Sequence, residues 1–468
     1  MQRASLSISA TDFVRLTLPR RILRAEHPVS RSMISSGTLK TLYTLKDAGY
    51  EAYMVGGGVR DLLAGIEPKD FDVATNAHPE QVKPLFRSCR LVGRRFVICH
   101  VRFGDEIVET TTFRGPITDL HKRDETGRIL SDNEYGTLEQ DALRRDFTIN
   151  ALYYDIRDFS IVDFTSGIED MKQGVIRLIG DPELRYREDP VRMLRAIRIA
   201  NKLRFRIDEA TAAPIARLAP LLKEIPAARL FDEVLKLLLS REAEDNLYGL
   251  RVYGLFRQLF PALDRLLKQP DKLKFVNAAL RNTADRIDKD LPVSPAFLYA
   301  SLLWPAVEAR AKEIRIEQAC ESVPAMQQAG DEIITRTIAC VAIPKRFSLP
   351  MRDIWDLQPR FEQTTSNRAR RLMTHPKFRA AYDFLLVRAE SSGDAALKEL
   401  AHWWTEAQKG GDLPPVPTEE AIETGGDGNA MPERKKRRRR GGRNRRSGAS
   451  NGEHADSASG ADMAPDAG

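Results

Sequence analysis

Val55-Gly56-Gly57-Gly58-Val59-Arg60-Asp61 decides the fold, and Asp70-Phe71-Asp72 follows it closely along the chain. Consecutive glycines allow a tight turn and let backbone N–H groups approach a phosphate with no side chain in between. Residues two apart on a strand point to the same face, so Asp70 and Asp72 would present two carboxylates together. Such oxygen ligands suit Mg²⁺. Alone, each half is more often an ordinary turn or a solvated loop, but together they predict a catalytic phosphate and metal site.

Composition and patterning divide the 468 residues into five regions and predict an α+β protein. Residues 37–170 mix strand-like and helical runs, which indicates an α/β head domain. Helical patterns fill 171–240 and 241–410, so we expect an all-α remainder. Residues 1–36 read as a mildly basic extension that is partly disordered. Residues 411–468 have few apolar side chains and predict a disordered tail.

Several elements can be placed individually. The strand-like runs are Ala52–Val55, Phe71–Thr75, Phe96–Val101 and Glu106–Thr112. The helical runs include Leu39–Ala48, Val191–Leu203, Ala228–Leu239, Pro295–Trp304, Ile333–Ala342 and Lys377–Ala389. The helix over Val191–Leu203 has the clearest start, because Asp189-Pro190 places a capping acid before a proline.

Two further motifs follow in order, Asp141–Leu152 (DALRRDFTINAL) and Arg187–Ala196 (REDPVRMLRA). With the glycine and aspartate stretch they resemble the class II nucleotidyltransferases, a family that contains tRNA CCA-adding enzymes and bacterial poly(A) polymerases. The resemblance covers residues 40–240 and implies a head domain of the polymerase β type. Three long motifs in the family's order make this match specific.

The resemblance also implies a role for each matching residue. Asp70 and Asp72 would hold catalytic metal ions, Mg²⁺ or Mn²⁺ in its place, with ATP as the substrate. The remaining nucleotide-binding residues would be Gly57, Gly58, Arg60 and Arg145 at the phosphates or sugar, Asp189 and Arg192 at the base edge, and Arg195 at the triphosphate. A third catalytic carboxylate is assigned to Asp146, with Glu109 as a rival because a neighbouring strand could bring it beside the aspartates.

Helical spacing agrees with this assignment without requiring it. Arg192 and Arg195 lie three residues apart and share a helix face, while apolar neighbours pack behind them. An Asp can accept hydrogen bonds from a base edge and an Arg can donate to one. An ordinary amphipathic helix with solvated arginines would show the same spacing.

Within the family, Cys89–Phe96 (CRLVGRRF) resembles the poly(A) polymerase version of its segment, although a basic turn entering a strand would look similar. We therefore expect template-independent, ATP-dependent addition of AMP to RNA 3′ ends with release of pyrophosphate. The resemblance implies that such tails mark RNA for decay. Two alternatives remain open, a tRNA CCA-adding nucleotidyltransferase and a non-catalytic RNA-binding protein.

The tail carries a dense positive run. Residues 434–446 hold ten lysines and arginines and no acid, so the rest of this +7 chain is net acidic. A flexible basic segment binds RNA phosphates without reading sequence. The tail residues that we expect to contact RNA are Arg434, Lys435, Lys436, Arg437, Arg438, Arg439 and Arg440. A solubility or localisation tail, or an anchor to anionic membranes, would have the same composition.

Composition also bears on compartment and partners. None of the four cysteines forms a C-x-x-C pair, and no apolar stretch reaches the roughly 18 residues of a membrane span. We expect a monomeric, cytoplasmic protein without a transmembrane segment. Peripheral membrane association stays open. Its partners would be the 3′ ends of mRNA, small regulatory RNA and other transcripts, together with RNA-decay proteins.

Overall fold

The computed structural model describes residues 19–93, 96–116 and 134–409. The predicted RNA-binding residues of the tail, Arg434 to Arg440, and most of the predicted extension before residue 19 lie outside this range. The fold prediction is confirmed for the described chain, which has an α/β head followed by a helical remainder.

The head is built on one mixed sheet. In the described residues the sheet has eight strands, in the order β1-β8-β7-β2-β3-β6-β5-β4, and only the β3–β6 pairing is parallel. The strands are β1 (Arg20–Ile22), β2 (Ala52–Val55), β3 (Asp72–Thr75), β4 (Cys89–Val92), β5 (Ile98–Phe103), β6 (Glu106–Thr112), β7 (Leu152–Asp155) and β8 (Ile161–Asp163).

The central strands are buried on both faces, which explains their apolar composition. Met54 of β2 and Val73 of β3 pack into one core, and Tyr53 and Val55 of β2 pack into another on the opposite face. Alternation along β2 thus divides its side chains between two layers. The first face is covered by α1 (Ser36–Asp47), and the polar ends of β2 and β3 are left at the sheet edge.

The helical remainder surrounds a second core. The described helices after α1 are α2 (Gly57–Leu63), α3 (Pro79–Val82), α4 (Leu138–Arg144), α5 (Gly167–Gln173), α6 (Pro182–Glu188), α7 (Val191–Leu203), α8 (Glu209–Ala212), α9 (Ile215–Leu218), α10 (Ala227–Leu238), α11 (Ala243–Val252), α12 (Phe256–Leu259), α13 (Pro261–Leu266), α14 (Pro270–Asp288), α15 (Pro295–Gln318), α16 (Ser322–Ile338), α17 (Lys345–Leu357), α18 (Ser366–Met373), α19 (Phe378–Ser391) and α20 (Ala395–Ala407). A short parallel pair of strands, β9 (Val175–Ile176) and β10 (Arg206–Ile207), interrupts the expected all-α composition.

No described helix combines the length and apolarity that crossing a membrane requires.

The described part of the predicted extension belongs to the head. Strand β1 pairs antiparallel with β8 at the edge of the sheet, and Arg21 makes ion pairs with Asp155 and Asp158. The predicted head boundary at residue 37 is therefore too late. The run RRI is too short and too polar to show a strand pattern, and it becomes a strand only because β8 offers an open edge.

Helix α15 continues beyond its predicted end at Trp304. It passes through Pro305, which is buried, and ends at Gln318. Proline removes a helical hydrogen bond, so the sequence pattern indicates a stop there. In the structure the indole nitrogen of Trp355 donates to the carbonyl oxygen of Ala300, one turn earlier, at 3.1 Å. Burial against the neighbouring helices therefore overrides the local signal.

Gly167 packs closely against Thr148 and Leu152 of the head domain. A Cβ at Gly167 would overlap the carbonyl oxygen of Thr148 and lie 3.1 Å from Leu152 Cδ2. Because the overlap is with backbone, we expect Gly167→Ala to lower the free energy of unfolding by about 1–3 kcal/mol. Chemical denaturation followed by circular dichroism measures the change.

Gly393→Ala is the matched control, since a Cβ at Gly393 meets no atom within 4 Å. We expect its effect to stay within about 0.5 kcal/mol. Equal free energies of unfolding for the two variants would contradict the prediction, because the backbone at Thr148 would then have moved to accept the Cβ without loss of stability.

Candidate active site

A glycine turn joins β2 to α2 at the edge of the sheet. Gly56 has φ +74° and ψ −135°, a conformation that residues with a Cβ avoid. A Cβ at Gly58 would lie 3.0 Å from the ring of Phe71, so a larger residue here would have to displace that ring. The local sequence thus produces a bend whose outer surface carries no side chain.

The predicted carboxylates lie at this bend. Asp72 is the first residue of β3, and its register partners are Val55 on β2 and Glu109 on β6. A Cβ at Gly56 would stand 3.6 Å from Asp72 Oδ2. Asp70 precedes the strand, is exposed, and contributes negative charge at Asp72. The structure therefore brings Asp70, Asp72 and the glycine turn together.

Negative charge is concentrated around Asp72. Burial, and then the charge of Glu109, raise the pKa of Asp72 to about 6, and Asp70 adds to the effect. Like charges at such separations disfavour ionisation unless a cation lies between them. A divalent ion fits this donor set, since Mg²⁺ needs only a few carboxylates and completes its shell with phosphate oxygens and water. Among the described residues, no group of three or more His, Cys, Asp or Glu side chains is arranged so that it could hold a metal ion by itself.

Arg145 is the cation of the glycine turn. A Cβ at Gly56 would lie 3.5 Å from its Nη1, while its Nε and Nη2 donate to Asp141 Oδ2 at 3.1 and 2.9 Å. The Tyr153 hydroxyl accepts from the same Nε at 2.8 Å and donates to Asp141 at 2.6 Å. Asp141 and Tyr153 are both buried, so they hold Arg145 in one orientation with Nη1 toward the turn.

Asp146, the predicted third carboxylate, is already bound by other groups of the protein. Its Oδ1 accepts from the backbone N–H of Phe147 and from Asn150 Nδ2, each at 2.9 Å. Its Oδ2 accepts from Arg195 Nε at 2.7 Å and Nη2 at 2.6 Å. Both oxygens are therefore engaged by the protein, and so is the guanidinium that was expected at the triphosphate.

Arg60 lies beneath the glycine turn. Its Nη2 would be 3.4 Å from a Cβ at Gly57, and its guanidinium donates to Asp61 Oδ1 and, at 2.7 Å, to Asn150 Oδ1. The residue is 6 % exposed. The other oxygen of Asp61 accepts from Lys202 of α7 at 2.6 Å. Hydrogen bonds thus form one continuous series, which links Lys202, Asp61, Arg60, Asn150, Asp146 and Arg195 in that order.

The predicted base-edge residues sit before and within the first turn of α7. Asp189 pairs with Arg229 of α10 at 2.7 Å. Arg192 donates to Glu188 at 2.9 Å and to the carbonyl oxygen of Arg185 at 2.6 Å. The two residues are held by separate partners at one end of the helix, with their side chains 15 % and 13 % exposed.

Sequence reasoning missed several residues of this region. Arg229 and Asn150 bind predicted site residues, and Lys202 binds Asp61 of the glycine motif, but none of the three was predicted. The spacing could have identified Lys202, because it follows Arg195 by seven residues and therefore lies on the same face of the helix. Nothing local marks Arg229, since its partner Asp189 is 40 residues away.

Family models match three parts of the chain. They are described as the poly A polymerase head domain (residues 52–177), the probable RNA and SrmB-binding site of polymerase A (204–267) and the polymerase A arginine-rich C-terminus (318–444). Poly(A) polymerase I of Salmonella typhi is 49% identical over 396 residues, which is 83% of this chain and 85% of that protein. The chain belongs to the poly(A) polymerase I family.

Family membership makes this chain an enzyme, a nucleotidyltransferase with poly(A) polymerase function, as the motifs predicted. The Haemophilus influenzae poly(A) polymerase I is 45% identical over 83% of this chain and 87% of its own length. A CCA-adding enzyme of Lactobacillus helveticus is 42% identical over only 42% of this chain and 49% of its own length. The sequence match to this CCA-adding enzyme therefore spans less than half of the chain.

Solved structures show the same fold. The CCA-adding enzyme of Thermotoga maritima, complexed with tRNA, has a TM-score of 0.56 and 21% identity, covering 85% of this chain and 87% of its own. A CCA-adding enzyme solved with ATP gives a TM-score of 0.56 at 20% identity, covering 84% and 88%. The head and the helices that follow it therefore share the fold of these two structures.

The contacts of Asp146 yield a prediction about stability and pH. Burial by itself raises the pKa of Asp146, but Arg195 and the hydrogen bonds from Asn150 and Phe147 outweigh it and hold the pKa below its usual value. A depressed folded-state pKa contributes stability above the unfolded value of about 3.9, and this is lost as the pH falls below it. We expect Asp146→Asn to cost about 2–4 kcal/mol of unfolding free energy at pH 7.

Urea denaturation of wild type and variant at pH 7 and below pH 4 checks this expectation. The difference between the two proteins should shrink on acidification, because the wild-type carboxylate then loses its advantage. A difference that stays constant across this range would mean that Asp146 contributes through packing and not through charge.

Proposed function

We propose that this chain uses ATP to add AMP residues to RNA 3′ ends without a template, releasing pyrophosphate. One observation supports this above all others. Asp72 Oδ2 and Arg145 Nη1 both lie against Gly56, at 3.6 and 3.5 Å from where its Cβ would be. A carboxylate that could hold a metal ion and a cation that could bind phosphate thus meet at a bend that carries no side chain.

In this proposal Asp70 and Asp72 hold Mg²⁺, with Mn²⁺ as an alternative ion. When bound, the ion supplies positive charge that activates the attacking hydroxyl and stabilises the leaving pyrophosphate. Gly57 and Gly58 admit the phosphates, and Arg60 supports the turn from below. The RNA 3′-oxygen forms a bond to the α-phosphorus while the bond to pyrophosphate breaks. The protein contributes mainly positioning and charge neutralisation.

Two carboxylates compete for the third catalytic position. Glu109 stands in register with Asp72, and its side chain is 51 % exposed. Asp146 is the candidate from the motif, but both of its oxygens are bound by Arg195, Asn150 and Phe147. We propose that Glu109 joins the metal site and that Asp146 is a positioning residue for Arg195.

The base would be selected by Asp189 and Arg192. Their partners Arg229 and Glu188 hold each side chain in place before a nucleotide binds. A site of fixed donors and acceptors can reject a base with a different hydrogen-bonding edge, because buried polar groups would be left unpaired. Residues 171–240 would then form the base-recognition domain and 241–410 the RNA-binding domain. The products would be transcripts marked for RNA-decay proteins in the cytoplasm.

Asp72→Asn tests the catalytic proposal. The substitution keeps the size of the side chain but removes the charge that would hold the metal ion. We expect kcat for AMP addition to fall by about 10³-fold or more, with RNA affinity within about twofold of wild type. Gel analysis of a labelled oligo-RNA measures the rate, and fluorescence anisotropy measures the affinity.

Glu109→Gln and Asp146→Asn separate the two candidates for the third carboxylate. Loss of Glu109 should raise the Mg²⁺ concentration needed for half-maximal rate, whereas loss of Asp146 should act on the KM for ATP. Asp105→Asn, at an exposed turn in the same domain, is the control.

If Asp72→Asn retained full activity, the metal site would have to lie elsewhere.

Nucleotide choice separates the two enzyme classes. A generic oligo-RNA offered each NTP separately should be extended indefinitely with ATP alone. A tRNA that lacks its CCA end, offered ATP and CTP, should not take up CTP and then stop. The opposite pattern would assign the chain to CCA addition, and no pyrophosphate release with any RNA would support a non-catalytic binding protein.

We further propose a path for the RNA body. The short helix at 219–224, α12 and α13 enclose an open cleft of about 540 Å³. Its lining residues, apart from Lys268, fall within the segment matched by the RNA-binding model. Its lining includes Lys223, Arg257, Arg265 and Lys268, none of which forms an ion pair within the described residues, and a single acid, Asp264. Such an excess of exposed cations suits phosphate groups of a strand, and the basic tail would add to it.

Lys223→Ala combined with Lys268→Ala tests this path. Each lost phosphate contact should reduce the slope of log affinity against log salt by about 1, so the pair should weaken RNA binding several-fold at low salt. The KM for ATP should not change. Fluorescence anisotropy across a salt series gives the slope.

Lys289→Ala combined with Lys398→Ala is the matched control, because both side chains are exposed and neither forms an ion pair in the described chain. It removes the same charge from other helices. If both pairs weakened RNA binding equally, only net charge would matter and the cleft would have no special role.

A further inference from the structure

One side chain connects two parts of the proposed site. Arg185, on α6, is 7 % exposed, and its guanidinium donates in two directions. Its Nη2 donates to the carbonyl oxygen of Arg144 at 2.9 Å and also to that of Arg145. Its Nη1 donates to Glu188 Oε2 at 2.8 Å. The buried guanidinium therefore joins the end of α4 to the segment that leads into α7.

The contacts with the end of α4 fix the main chain that carries Arg145. Helix α4 ends at Arg144, and the last carbonyl oxygens of a helix find no N–H group within that helix. Arg185 donates to two carbonyl oxygens at this end, as basic side chains near helix ends can do. Asp141 and Tyr153 hold the guanidinium of Arg145. The main chain and the side chain of Arg145 are thus fixed by different groups.

The other contacts of Arg185 reach both predicted base-edge residues. Glu188 Oε2 accepts from Arg192 Nη1 at 2.9 Å as well as from Arg185. The carbonyl oxygen of Arg185 accepts from Arg192 Nη1 at 2.6 Å and from the backbone N–H of Asp189 at 3.3 Å. The side chains of Arg185, Glu188 and Arg192 are only 8 %, 15 % and 13 % exposed, so water competes little for these contacts. Arg185 therefore helps to orient Arg192 and to place the main chain of Asp189.

Two buried guanidinium groups share one carboxylate in this arrangement. Burial, and then the positive charge of Arg192, lower the pKa of Arg185 to about 10, while the charge of Glu188 raises it. Arg185 therefore remains a cation at neutral pH, and Glu188 offsets its repulsion from Arg192. Such a buried network is sensitive to the loss of any member, because each remaining group loses part of its compensation.

We propose that Arg185 is a positioning residue that sets nucleotide specificity, because it holds the base-edge residue Arg192 and the phosphate-binding residue Arg145 in a fixed relation. This inference rests on the proposed function. Arg185 acts through these two residues and not on the nucleotide itself. A base that fails to pair with Arg192 then cannot bring its phosphates to Arg145 at full strength. The planar fork of a guanidinium suits this role, since it donates to separate acceptors in fixed directions.

Arg185→Gln tests the assignment with two measurements. The ratio of kcat/KM for ATP to kcat/KM for CTP, in the extension of an oligo-RNA, reports on the base edge. Calorimetric titration with inorganic pyrophosphate, which carries no base, reports on Arg145. We expect the ratio to fall by about tenfold or more and pyrophosphate binding to weaken by about three- to tenfold, because both parts of the site lose charge-assisted hydrogen bonds. Arg185→Lys, which keeps the charge without the fork, should recover part of each loss.

Glu188→Gln separates the two parts of the network. It removes the shared charge but leaves the hydrogen bonds from Arg185 to the end of α4, so the ratio for ATP over CTP should fall while pyrophosphate binding stays within about twofold. In the double variant with Arg185→Gln, the ratio should be no lower than in the more affected single variant, because the two residues act as one unit. Glu188→Gln also supplies a result even if Arg185→Gln folds poorly.

Arg217→Gln is the matched control. Arg217 pairs at 2.6 Å with Glu183, which also lies on α6, but the two side chains are 59 % and 38 % exposed. Its loss should change neither measurement. An unchanged ratio in Arg185→Gln and Glu188→Gln, or additive losses in the double variant, would overturn the assignment.

Failure of the proposed function would look different. A wild-type chain that extended no RNA with ATP would contradict the proposed function, whatever the variants did. The pyrophosphate titration needs no RNA, so it would still test the connection between Arg185 and Arg145. Wild-type affinity for pyrophosphate in Arg185→Gln would show that this connection is absent.

Discussion

Two ion pairs between α7 and the head set the geometry of the whole site. Arg195 pairs with Asp146 and Lys202 pairs with Asp61, both at 2.6 Å. The two basic residues lie seven apart, about two turns or 10 Å along one face of the helix. Arg60 and Asn150 connect the two carboxylates by hydrogen bonds. The helix that carries the base-recognition residues is therefore fastened at two points to the domain that carries the aspartates.

Such a network is expensive to bury, and its role is better understood as placement than as stabilisation. Removing charges from water offsets much of what a buried ion pair gains, whereas removing one partner leaves the other uncompensated. The arrangement therefore tolerates little rotation of α7. Gly167 contributes to the same precision, because its close approach to Thr148 fixes the turn that presents Asn150.

The site has opposite charge imbalances on its two sides. Asp70, Asp72 and Glu109 crowd negative charge at the sheet edge, and the pKa of Asp72 is raised to about 6. Near α7, Arg195 and Arg60 add positive charge around Arg198, and together with burial they lower the pKa of Arg198. A divalent ion bound to a nucleoside triphosphate would relieve both imbalances at once. Electrostatic preorganisation of this kind accounts for much of the catalysis by enzymes that transfer phosphoryl and nucleotidyl groups.

Local signals in the sequence located most elements near the site. The prediction for β2 and the helix Val191–Leu203 match the structure end for end, because a glycine turn and a proline start mark their limits. The short strand β1 and the continuation of α15 past Pro305 were not predictable, since each depends on a partner remote in the chain. The sequence did not predict the parallel pair β9–β10 for the same reason.

The sequence by itself determined the chemistry: a glycine bend, an Asp-x-Asp pair and two arginine motifs, whose residue types and spacing are local properties. Only the tertiary structure decided which of those groups are already engaged. Asp146 and Arg195 look available in the sequence but bind each other across 49 residues, while Glu109 comes into register with Asp72 on a neighbouring strand. The reason is physical: a buried charge takes its partner from whatever the fold brings near it, and that neighbour is not written in its own segment.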